Sequence, residues 1–103
     1  MHKDFENISL LLDVYKNLLT DYQVEIMELY FNEDWSLKEI AENKNITRNA
    51  VLSTIKRVSK TLTNYEEKLG LIRKYNRISD IIKNSDLSRE EKDKILNVLH
   101  ELI

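Results

Sequence analysis

Apolar residues recur along this chain at steps of three and four. That is the repeat of helices with one buried face, and no stretch alternates as a half-buried strand would. Phe5, Ile8, Leu12, Tyr15 and Leu19 form the first stripe. Leu11 and Leu18 widen it, which predicts a well-buried helix over about residues 4–18. Thr20-Asp21-Tyr22-Gln23 then reads as a capping box, with Leu19 and Val24 placed as a hydrophobic staple, so a second helix is expected over about 21–32. The device recurs at Ser36-Leu37-Lys38-Glu39, stapled by Trp35 and Ile40, and opens a short third helix over about 37–43. Thr47 opens a fourth, with Ile46 and Val51 as its staple. The turn between helices three and four spans only Asn43 to Ile46. It has no glycine, and Asn45 is the candidate for a left-handed residue because asparagine tolerates that conformation better than most.

Val51, Ile55, Val58, Leu62, Tyr65, Leu69 and Ile72 continue at alternating spacings of four and three, a narrow seam of coiled-coil type along a long fourth helix. The register changes at Gly70, where a break is expected. Leu71, Tyr75, Ile78 and Ile82 then carry a fifth helix over about 71–83. Asn84-Ser85-Asp86-Leu87 is a polar turn, and Ser88-Arg89-Glu90-Glu91 a third capping box. The last helix should bury Ile95, Leu96, Leu99, Leu102 and Ile103. The expected fold is all-α: a helical bundle over 1–69 containing a helix-turn-helix at 36–57, with a long fourth helix. A C-terminal helical extension over 70–103 packs on the bundle or on a partner subunit, within a single domain overall.

The composition narrows the chemistry. There is no cysteine or proline and one glycine in 103 residues, which excludes disulfide frameworks, thiolate metal sites and glycine-rich phosphate loops. No apolar run is long enough for a membrane span, and the first residues lack the apolar core of a signal peptide, so a cytoplasmic protein is expected. His2 and His100 stand far apart without ligand partners, and no nucleophile–base or paired-carboxylate arrangement emerges. The five tyrosines mostly fall on the apolar stripes as core residues. No cofactor, metal or enzymatic activity is expected.

The net charge of −2 conceals a strong asymmetry. Residues 1–43 carry a balance of −7, residues 44–77 one of +7 and residues 78–103 one of −2. The basic third coincides with SLKEIAENKNITRNAVLSTIKR, residues 36–57. Two capped helices joined by a tight turn, with the small Ala41 where they cross, are the pattern of a helix-turn-helix. Its second helix presents Arg48, Asn49, Leu52, Ser53, Lys56, Arg57 and Lys60 outward. Asn49 suits an adenine edge and Arg48 a guanine or a phosphate, while Lys56, Arg57 and Lys60 suit backbone phosphates. The expected nucleic-acid-binding residues are therefore Lys44 at the rim and Arg48, Asn49, Ser53, Lys56, Arg57 and Lys60. The alternative is an interaction adaptor that uses the motif only as scaffold; Leu52 suits a thymine methyl or a protein contact equally.

Residues 11–42, LLDVYKNLLTDYQVEIMELYFNEDWSLKEIAE, continued by ITRNAV, IKR and NYEEKLGL, resemble the YlxM-like family of small bacterial proteins. The resemblance covers about residues 8–75. It implies an all-helical, winged-helix-like protein whose motif is similar to the DNA-binding fourth region of sigma factors. It also implies a regulatory or accessory role in the signal recognition particle pathway, with DNA, the particle's RNA or its proteins as partners. The chain departs from the family at Lys44 and Asn45, where an aromatic residue and glycine are usual. It also departs at Asn49 and Leu52, where glutamine and tyrosine are common. The apolar surface beyond the motif predicts a homodimer through residues 58–103, built on the seam of Val58, Leu62, Tyr65, Leu69 and Ile72 and on Ile78, Ile81, Ile82, Leu96, Leu99 and Leu102.

Overall fold

The computed structural model describes the backbone of residues 2–102 and the side chains of residues 7–102. These form α1 (His2–Tyr15), α2 (Asp21–Phe31), α3 (Leu37–Lys44), α4 (Arg48–Leu69), α5 (Leu71–Lys83) and α6 (Arg89–His100), with a single 3-10 turn at Lys16–Leu18. No strand occurs among the described residues, so the wing of a winged-helix protein has no counterpart in them. The side chains of Phe5 and Ile103 lie outside the described set.

Local hydrogen bonds account for the helix starts. The Thr20 hydroxyl accepts from the Gln23 amide at 3.2 Å while the Gln23 side chain accepts from the Thr20 amide at 3.0 Å. Ser36 and Glu39 repeat this at 3.1 and 2.9 Å, and Ser88 and Glu91 at 3.1 and 3.2 Å. Thr47 accepts from Ala50 at 3.0 Å and opens α4. Each cap satisfies amides that the first helical turn leaves without partners.

The amphipathic faces then converge. Leu11, Leu12 and Tyr15 of α1, Ile26 and Met27 of α2, Ile40 and Ala41 of α3, and Val51, Ile55, Val58 and Leu62 of α4 make one buried cluster. α4 packs against α1, α2 and α3. Most of the seam expected to meet a second chain is closed within this one: Val58 and Leu62 are fully buried, and Tyr65 and Ile72 pack on the same cluster, while Leu69 is exposed. Leu18, expected to be buried, is 55% exposed. It falls in the 3-10 turn, whose tighter winding carries it off the register of the α1 stripe.

Beyond Gly70 the packing thins. α5 touches α1 and pairs with α6, and α6 packs on α5. Leu99 is buried and Leu96 half-buried, but Ile95 and Leu102, also expected inside, are exposed because α6 packs chiefly on α5. The radius of gyration is 16.9 Å, against about 13 Å for a compact chain of this length. The extents are 55 × 25 × 24 Å: an α5–α6 hairpin extends from a four-helix bundle.

Candidate nucleic-acid interface

The α3–α4 corner is made by backbone hydrogen bonding around one left-handed residue. Asn45 adopts φ 56° and ψ 47°. Its amide donates to the Glu42 carbonyl at 3.3 Å and the Ile46 amide to the Ala41 carbonyl at 3.0 Å. This is a Schellman closure, with Ile46 packed against the core as the accompanying apolar contact. Asn45 thus occupies the conformation that glycine would adopt most readily. Two residues later Thr47 starts α4, so the chain turns from α3 into α4 with no slack.

On α4, Val51, Ile55, Val58 and Leu62 face the core. The opposite side carries Asn49, Ser53, Lys56 and Lys60 at spacings of four, three and four, with Arg57 adjoining. All five are exposed, as is Arg48 in the first turn. From Asn49 to Lys60 this face runs about 16 Å at 1.5 Å per residue. Arg48, Asn49, Thr47, Leu37 and the half-buried Leu52 line a shallow depression between the start of α3 and the start of α4.

The charges on the two sides of the motif differ in their state. Arg48, Lys56, Arg57 and Lys60 make no ion pair among the described residues. Lys44 lies apart from them. Its ammonium pairs with Glu25 of α2 and sits 5.8 Å from the centre of the Tyr22 ring, and its side chain is 19% exposed. The exposed face of α2 and α3 carries Glu25, Glu39 and Glu42. Hydrogen bonds from the Ser36 amide and then its hydroxyl hold the Glu39 carboxyl below its ordinary value, so it stays charged. The motif thus has an acidic side on α2–α3 and a basic side on α4.

A further polar cluster orients the end of α4, and sequence spacing does not reveal it. Gly70, at φ 62°, separates α4 from α5, and α5 has no side-chain cap of its own. Glu66 takes that role from the preceding helix. Its carboxylate accepts from the amides of Ile72 and Arg73 at 3.1 and 3.2 Å and from the Tyr15 hydroxyl at 2.6 Å. The Tyr15 oxygen in turn accepts from the Leu71 amide at 3.2 Å. Burial alone would raise the Glu66 carboxyl. Those hydrogen bonds, with the Arg73 charge, outweigh it and hold the group below its ordinary value. Burial, and then the bond to Glu66, push the Tyr15 phenol up. Tyr15 stands 51 positions from Glu66, so no local pattern joins them.

Comparison with known proteins agrees with this geometry. Residues 2–102 match the family model UPF0122, described as "Putative helix-turn-helix protein, YlxM / p13 like". A UPF0122 protein of Desulforamulus reducens is 56% identical over 77 residues, which cover 75% of this chain and 66% of that protein. One of Clostridium acetobutylicum is 47% identical over 88 residues, covering 85% of this chain and 71% of the relative. One of Clostridium perfringens is 42% identical over an alignment that covers 100% of this chain and 98% of the relative. The chain belongs to the UPF0122 family of YlxM / p13-like helix-turn-helix proteins.

Proposed function

We propose that this protein is a nucleic-acid-binding regulatory module that presents the exposed face of α4 to DNA or RNA, acts as a homodimer in the cytoplasm, and serves the signal recognition particle pathway. The observation that carries the reading is the set of unpaired cations Arg48, Lys56, Arg57 and Lys60 alongside Asn49 and Ser53 on one helix of a helix-turn-helix. Cations without protein partners are available for phosphates. The first turns of α4 carry the groups suited to base edges, as the second helix of such motifs does. Lys44, held by Glu25, belongs to the rim. The role in the particle's pathway comes from the family resemblance. The division of labour is then between a binding bundle at 1–69 and an extension at 70–103.

Titration of a labelled DNA duplex and the corresponding RNA duplex against salt tests this reading. Log affinity should fall linearly with log salt, with a slope of about −0.9 for each DNA phosphate neutralised, so four cations predict roughly −3 to −4. Absence of binding at about 50 mM salt to either duplex overturns it. The depression lined by Leu37 and Leu52 favours the second reading, a protein-binding adaptor of the secretion pathway. That reading predicts salt-insensitive capture of a protein and loss of capture in Leu52→Asp.

A further inference from the structure

α5 and α6 lie antiparallel: Tyr75 near the start of α5 meets His100 at the end of α6, with the Tyr75 oxygen 2.5 Å from Nδ1. Each helix carries exposed apolar residues at helical spacing, Ile78 and Ile81 on α5 and Ile95 and Val98 on α6, with Leu102 in the turn that follows α6. Ile81, Val98 and Leu102 are 64–66% exposed. At 100° per residue, the α5 pair lies about a quarter-turn to one side of the face that Ile82 and Ser79 turn toward α6. Ile95 and Val98 lie about a quarter-turn to one side of the face that Leu96 and Leu99 bury. Because the helices run in opposite directions, those quarter-turns point to the same side. The hairpin therefore has a single apolar face, and its residues are exposed in the folded chain.

Four charged residues stand one turn before an apolar residue of this face: Lys74, Arg77, Glu91 and Lys94, of which Arg77 makes no ion pair among the described residues and Lys94 only an exposed one with Glu90 at 3.8 Å. Lys74, four residues before Ile78, donates to the Leu69 carbonyl at 3.1 Å. Glu91, four residues before Ile95, is taken up by Ser88. Lys74 stands at the end of the hairpin nearest Gly70 and Glu91 at the loop end. A two-fold pair with antiparallel hairpins brings the lysine end of one copy to the glutamate end of the other. Two such hairpins face to face make a four-helix bundle.

We infer that this face of α5–α6, and not the α4 seam, is where a second copy of the chain docks. The inference rests on the homodimer of the proposed function and assigns its surface. The face measures roughly 20 Å along the helices by 20 Å across two of them. That is about 400 Å² per copy, or about 800 Å² for the pair, before surface relief is counted, below the roughly 1,200 Å² at which stable interfaces begin, so the pair should be weak and reversible at micromolar concentration.

Sedimentation equilibrium of the full chain from low to high micromolar concentration tests this, with Val98→Asp, Ile81→Glu and Asn97→Asp compared. Asn97 is exposed on another side of α6 and controls for added charge. The wild type and Asn97→Asp should rise from the 12.3 kDa of one chain toward twice that mass. Val98→Asp and Ile81→Glu should stay at one chain's mass while keeping the wild-type circular dichroism spectrum. A wild type that stays monomeric overturns the homodimer itself. A wild type that pairs while both face variants also pair overturns the assignment of the face and leaves the homodimer standing. Dissociation by Asn97→Asp to the same extent also overturns the assignment.

Discussion

At the scale of single residues, Asn45, Gly70 and Glu66 hold backbone geometry that the flanking helices cannot supply. Asn45 sits at φ 56°, where glycine has no steric penalty and alanine costs about 1–2 kcal/mol. Asn45→Ala should lower stability by about 1 kcal/mol, and Asn45→Gly should leave it level or raise it slightly, as read by urea unfolding. Gly70 sits at φ 62°, and an added Cβ would meet the Arg73 guanidinium at 2.5 Å. Because that side chain can move, the cost of Gly70→Ala should be mainly the left-handed backbone, again about 1–2 kcal/mol. Glu66 adds a pH dependence. Its folded value is below the ordinary 4.5, so the stability it contributes is fully present above about that pH and is lost as pH falls through the lower folded value. Glu66→Gln should therefore cost about 1–3 kcal/mol at neutral pH, with its deficit shrinking toward zero in acid. A deficit that persists undiminished at acid pH would mean that the carboxylate charge is not what caps α5.

At the scale of elements, the caps and the turn carry most of what the sequence makes visible. Thr20, Ser36, Thr47 and Ser88 are local signals, each completed within three residues, and each structured start matches its signal. Asn45 was readable for the same reason. The relations between elements were less so. Nothing in the spacing of Val58 and Leu62 says whether another helix of the same chain or a second chain covers them, because an apolar seam has the same pattern in both cases; α1 and α2 cover it. The tie between Tyr15 and Glu66 joins two helices by a single hydrogen bond and has no periodicity to read. For the candidate site, residue identity and face on α4 were readable, but the pairing of Lys44 with Glu25 was not, since it depends on how α2 crosses α3. Lys56, Arg57 and Lys60 are exposed and unpaired, so replacing all three by Ala should shift stability by under about 0.5 kcal/mol each. The same variant should flatten the salt slope of duplex DNA binding by about 2–3. An unchanged slope would mean that the basic face is a solvated surface only. Ile40→Ala, inside the α3–α4 angle, should do the opposite, costing roughly 2–5 kcal/mol of stability without touching the charged face.

At the scale of the whole molecule, stability is distributed unevenly. Eleven of the described residues are buried in one cluster of the bundle, whereas α6 is held chiefly through Leu99 and Leu96 against α5. Local opening free energies follow the density of buried contacts, so such a chain should open from its hairpin end before the bundle unfolds. The Glu66–Tyr15 tie makes the boundary sharp, because it fixes the first turn of α5 to α1 and α4 while leaving the rest of the hairpin to its own packing. Hydrogen exchange on Val98→Asp, in which association of copies should not mask the hairpin, gives the direct measurement. Amides in the middle of α4 should exchange only through global unfolding, and those of α6 through an opening that costs several kcal/mol less. Two core truncations separate the layers further. Leu62→Ala should lower protection in α4 by roughly 2–5 kcal/mol and leave the α6 amides near their wild-type values, since Leu62 lies in the bundle cluster and α6 opens with that cluster intact. Leu99→Ala should lower protection in α6 and, because it destabilises the native state from which global unfolding starts, in α4 as well. Equal loss in both helices on Leu62→Ala would mean that the hairpin and the bundle fold as one cooperative unit, and that the α4 face is coupled energetically to whatever docks on α5 and α6.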